Sequence, residues 1–195
     1  MAKQILARRL LRDRRGIAAV EFAFIAPVLV FFVMGVIEMS FRFRAAEEAT
    51  RYVHQVADLV AREDELTKDQ LGQIYGAAMY MMAPIETTDQ LDLDVSSIGF
   101  EGEDAKPDVF WRRAAGTPVD INLPNTAGMG LTGETVIRVG VRYTYESVLS
   151  ELFGGRVMAI EREAFARPRV ERVILMDGKI DDGGAVVAFT AKKVG

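Results

Sequence analysis

"RRGIAAVEFAFIAPVLVFFVMGVIEMSF", residues Arg14 to Phe41, decides how the rest of the chain is read. From Phe22 to Ile37 no side chain is charged or strongly polar, and extending back to Ile17 the apolar run is 21 residues long, interrupted only by Glu21. As a helix it spans about 31 Å, the thickness of a bilayer's hydrocarbon core. A cleaved secretory signal would have a shorter apolar region followed by a small-x-small site. This run is longer and leads into "EMSFRFRAAEEATRY". The composition alone therefore predicts a membrane-spanning helix that stays attached to the carboxy-terminal part of the chain.

The flanks orient that helix. Residues 1 to 15 carry six basic side chains, Lys3, Arg8, Arg9, Arg12, Arg14 and Arg15, against the single acid Asp13. With a net charge of −4 for the whole chain, the leader is +5 and the remainder −9. A basic arm can signal nucleic acid, but one abutting an apolar run marks the side of a membrane that is not crossed. The expectation is a cytoplasmic amino terminus, an extracytoplasmic carboxy-terminal part and no nucleic-acid partner. The chain has no cysteine, so disulfides and thiol chemistry are excluded.

Glu21 is the anomaly. A carboxylate in a membrane helix is costly, and an anchor gains nothing from it, so an intramembrane ionisable group is read as a functional residue whose partner must be named. No basic residue within the run can serve. Gly16, small and placed where the basic leader meets the apolar run, is a candidate processing site. Cleavage between Gly16 and Ile17 would create an α-amine four residues before Glu21, on the same helix face, largely protonated at neutral pH. The pair could form within one chain or between packed chains. Glu21 then reads as an assembly contact; the alternative is a carboxylate snorkelling to the headgroup boundary.

The arrangement resembles the class III signal of type IV pilins and pseudopilins: a short basic leader, glycine before the cut, glutamate at the fifth mature position. More narrowly it resembles the TadE-type pseudopilins of the tight-adherence (Tad, Flp-type) pilus system, which typically begin RRG-x-x-A-V-E-F-A-x-x-x-P. Here the correspondence runs through Gly16, Ala19, Val20, Glu21, Phe22, Ala23 and Pro27, then Gly35, Ile37 and Glu38. The resemblance implies processing after Gly16 by a prepilin peptidase, with Glu21 as the assembly residue. It also implies a minor role in building the pilus alongside pilin and other pseudopilin subunits and the inner-membrane assembly machinery. A permanently anchored, uncleaved scaffold that binds a partner through its head is the alternative.

Beyond the apolar run Ala45, Ala49, Tyr52, Val53, Val56, Leu59 and Val60 recur at three- and four-residue spacing, so one helix is expected from Ile17 to about Arg62 with an amphipathic outer half. Thr67 and Gln70 have capping-box spacing and announce a second helix carrying Leu71, Ile74, Tyr75, Ala78, Met79 and Met82, stopped by Pro84. From there the period changes to two. "QLDLDVSSIGF", "DVFWRR", "ETVIRVGVRYTYE", "RVMAIEREAFARP", "RVERVILM" and "AVVAFT" read as strands, with "SVLSELFGG" as a short helix or loop. Short links predict an antiparallel sheet and an α+β head. The expected organisation is a leader over 1–16, a membrane helix over 17–39, an amphipathic extension over 40–62 and an extracytoplasmic head over 63–195.

Three motifs fail on context. "GMGLTG" has the G-x-G-x-x-G spacing without a strand before and a helix after, so a loop is expected. "DGKIDDGG" has a calcium loop's acids, but Lys179 stands third and Ala188 replaces the required glutamate, which makes it a turn. The single histidine, His54, has no cysteine or second histidine to complete a metal site and cannot support a hydrolytic triad, so a surface position is expected. Neither a cofactor nor an enzymatic activity is expected.

Overall fold

The computed structural model describes residues 16–82, 90–147 and 157–190. The leader before Gly16, the Pro84 stop and most of "SVLSELFGG" lie outside the described residues. Helix α1, Ile17–Val60, is a single 44-residue helix that includes Pro27. The chain divides into two compact units within that helix, between Arg42 and Phe43.

The first unit contains the apolar part of α1. Nearly all its large side chains are exposed, from Ile17 and Val20 to Ile37 and Met39, with Phe24 76% exposed and Met34 half-buried. A helix apolar on every side is a membrane span or the core of a larger assembly. Pro27 costs one intrahelical hydrogen bond, a loss that membrane helices tolerate. The apolar run closes at Glu38, whose Oε1 accepts a hydrogen bond from Arg42 Nε at 2.9 Å, an i,i+4 pair.

The second unit begins with the rest of α1. Ala45, Ala49, Tyr52, Val53, Val56 and Val60 are fully buried, whereas Leu59 is 43% exposed despite its apparent fit to the period. Two short pieces come next, strand β1 (Glu65–Leu66) and helix α2 (Lys68–Gly76). The capping box forms as the spacing predicts: Gln70 N–H donates to Thr67 Oγ1, and Thr67 N–H donates to Gln70 Oε1. The second helix is not continuous, however. It stops at Gly76, Ala77 forms a turn, and Ala78–Met81 make a separate turn of helix, α3, followed by the buried Met82.

The head's sheet consists of β2 (Leu91–Glu101), β3 (Lys106–Ala115), β4 (Thr135–Glu146), β5 (Val157–Ala166) and β7 (Val186–Ala188), ordered β5-β4-β2-β3-β7. The four long strands are antiparallel, as expected, although β3 and β4 are joined by the long 116–134 loop and pair with β2, not with each other. The edge strand β7 runs parallel to β3, which makes the sheet mixed. "RVERVILM" is not a long strand: only β6 (Leu175–Met176) forms, paired in parallel with β1 and separate from the main sheet. The charged stretch before it, "RPRVER", is irregular backbone.

Both faces of the sheet are covered, which explains the near-continuous burial along β2 and β4. On one face Leu93, Val95, Val139 and Val141 join the buried stripe of α1 in the main core, together with Trp111, whose indole Nε1–H donates to the Ile174 carbonyl at 2.9 Å. On the other face Ile98, Phe100 and Val136 form a second cluster with Ile121, Leu123 and Met129 from the 116–134 loop. A β-bulge in β3 inserts Phe110 opposite the Ser97–Ile98 step. Its ring lies over Gly99, where an added Cβ would fall 2.0 Å from the ring, so any side chain there would force the Phe110 ring to move.

Candidate functional site

At Gly16, the amino-terminal edge of α1, an added Cβ would meet no atom of the described residues within 4 Å. Ile17 is 49% exposed and Glu21 is exposed one turn further on. The helical rise places these two residues on one face of α1, as the four-residue spacing requires. Glu21 forms no salt bridge among the described residues. The first unit thus presents an accessible glycine, an apolar first residue and a lone carboxylate on an otherwise lipid-compatible helix.

The head carries a different concentration of charge, which sequence reasoning missed. Asp94, fully buried on the sheet face away from α1, accepts from Arg112 Nε at 3.1 and 3.0 Å and from the Val119 N–H at 3.0 Å. Arg138, 1% exposed, has Nη1 3.9 Å from the same carboxylate, Nε 3.2 Å from Glu163 and Nη2 2.8 Å from the Asp120 carbonyl. Further along the same two strands, Arg142 Nε meets Glu161 at 2.7 Å, and that hydrogen bond pushes the guanidinium pKa above its ordinary value. These groups tie four strands, β2 to β5, to the loop at Val119 and Asp120. The detectable signal was the even spacing of Asp92 and Asp94 in one strand and of Arg138 and Arg142 in another, which puts each pair on one face.

The acidic turn of "DGKIDDGG" is held by the chain's own cation. Arg113 Nη2 lies 2.7 Å from Asp182 and 3.8 Å from Asp177. His54 is exposed, as expected, at the rim of an open depression of about 490 Å³ that also contains Asp58, Arg167 and Arg169. The Asp58 carboxylate in it is already bonded by Arg62 and Arg169, so it is a structural acceptor. "GMGLTG" lies in the loop before β4, with no helix after it.

An apolar helix of membrane-spanning length followed by an α+β head defines a membrane-anchored α+β protein. Residues 16–63, about a quarter of the chain, match the family model described as TadE-like protein. Neither the curated proteins nor the solved structures contain a match.

Proposed function

We propose that the protein is a minor pseudopilin of a Tad/Flp-type adhesive pilus, inserted in the bacterial inner membrane with its amino terminus cytoplasmic and its head outside. A prepilin peptidase removes the leader after Gly16. The α-amine of Ile17 then pairs with Glu21, within the chain or on an adjacent subunit, as the helix packs among pilin and pseudopilin helices. The chain contributes structure rather than catalysis. Glu21 carries this reading: it is an exposed carboxylate one turn inside an apolar helix, and the TadE-like match begins at Gly16.

Transfer from bilayer to assembly exchanges lipid contacts for helix contacts of similar apolar character, so the glutamate's contribution is axial register more than net affinity. Intact-mass spectrometry of the protein extracted from its host membrane tests the first step. A chain starting at Ile17 is expected; one still carrying residues 1–15 would make the protein an uncleaved, anchored scaffold. Gly16 replaced by a bulky residue should retain the leader. Glu21→Val should leave membrane insertion intact while lowering the number of sheared fibres, and normal piliation with that variant would remove the assembly role.

A further inference from the structure

The main sheet has two edges, and they differ. β7 is three residues long, whereas β5 is ten residues long and is paired on one side only among the described residues. An edge strand of that length presents a row of backbone donors and acceptors ready to pair with another chain, and proteins that must avoid such pairing shorten, charge or cover the edge.

β5 carries Glu161, Arg162 and Glu163 in succession at its centre. In antiparallel pairing with a second copy, registers centred on this triplet set glutamate against glutamate, which opposes self-association. The same charges favour a different occupant. On the face that Glu161 and Glu163 share, the neighbouring groups are Asp92, Asp94 and Asp120 with Arg112, Arg138 and Arg142. Arg167, just past the strand, donates to the Met129 carbonyl on the same face, so five carboxylates stand against four guanidiniums, a net charge of −1 beside an edge whose two glutamates remain 50% and 44% exposed. On the opposite face Ile160 and Ala164 flank Arg162 and continue the apolar core.

We propose that β5 is a docking edge for an extended strand of a partner protein, with basic residues at alternate positions facing Glu161 and Glu163 and small apolar residues facing Ile160 and Ala164. Backbone pairing supplies affinity, and the alternate charges set register and exclude acidic strands. The inference rests on the head alone and holds whether or not the leader is removed.

The test uses the full chain in dodecyl maltoside micelles and two capped nine-residue peptides, one alternating lysine with valine, the other glutamate with valine. Hydrogen–deuterium exchange of the 157–166 segment is the readout. At a concentration ten times its dissociation constant, the lysine peptide should slow exchange of the outward-facing β5 amides about tenfold, while the glutamate peptide leaves them unchanged. Glu161→Gln should weaken the lysine peptide's effect, as should added salt. No slowing by the lysine peptide, or equal slowing by both, would overturn the proposal. Protection that rises with protein concentration alone would assign the edge to a second copy and overturn it as well.

Discussion

Replacing Asp94 by alanine tests the central claim about the head, that the charged face of its sheet is a closed network and not a scatter of surface pairs. Asp94 is fully buried and receives two bonds from Arg112 Nε and one from the Val119 amide, with Arg138 Nη1 3.9 Å away. Its removal leaves Arg138, 1% exposed, and Arg112, 16% exposed, without their shared counter-charge. It also frees the Val119 N–H. Breaking a buried pair in this way costs about 3–5 kcal/mol, a large share of the roughly 5–15 kcal/mol that holds a domain folded. For a chain of this size Tm should fall by roughly 6–20 °C. Urea unfolding in micelles can be followed by Trp111, the chain's single tryptophan, which is fully buried in the core of the head. The double variant Asp94→Ala/Arg112→Met should recover part of the loss, because one stranded cation has gone while Arg138 keeps Glu163 and the Asp120 carbonyl. A loss below about 1 kcal/mol for Asp94→Ala would place the cluster with weakly contributing surface pairs and refute the argument. Strict additivity in the double variant would do the same.

Thr67→Ala removes the capping-box hydroxyl at the start of α2 and should cost about 1 kcal/mol, seen as a lower urea midpoint with an unchanged slope; Thr67→Ser should restore most of it. Tyr52 is buried in the core, its hydroxyl has no hydrogen-bond partner among the described residues, and burial raises its pKa far above the ordinary 10. Its stabilising contribution is complete below pH 10 and declines above it, because the unfolded chain releases a proton there that the folded chain retains. Stability should fall by about 1.4 kcal/mol per pH unit from this group, and Tyr52→Phe should remove that component of an alkaline unfolding series.

Local patterning carried most of the architecture. The length of the apolar run, the glycine and glutamate at its start, the three-and-four spacing after Phe43, the Thr67–Gln70 pair and the alternation of Ile137, Val139 and Val141 each depend on residues within a turn or a strand of one another. Their period could therefore be read without knowing their packing partners. The break in the second helix was harder to see, since an unremarkable Ala77 takes the turn between Gly76 and Ala78. "RVERVILM" was misleading for a related reason: its alternation suits a strand, but pairing is available only to Leu175 and Met176, beside Glu65 and Leu66.

That Ile17 and Glu21 lie in the first turns of one long apolar helix could be read from the run around them; the roles given to Gly16, Ile17 and Glu21 belong to the proposed function. Only the tertiary structure decided which charges lie inside the head and which strand is left at its edge. Asp94 meets Arg112 and Arg138 across separations of 18 and 44 residues, and Arg113 reaches the acidic turn across 69. No local period encodes such meetings. They exist because strand order and register bring the side chains to one face, where low dielectric makes an unpaired charge too costly to leave. The parallel pairing of β7 and the edge position of β5 among the described residues are likewise properties of the assembled sheet and not of any one strand.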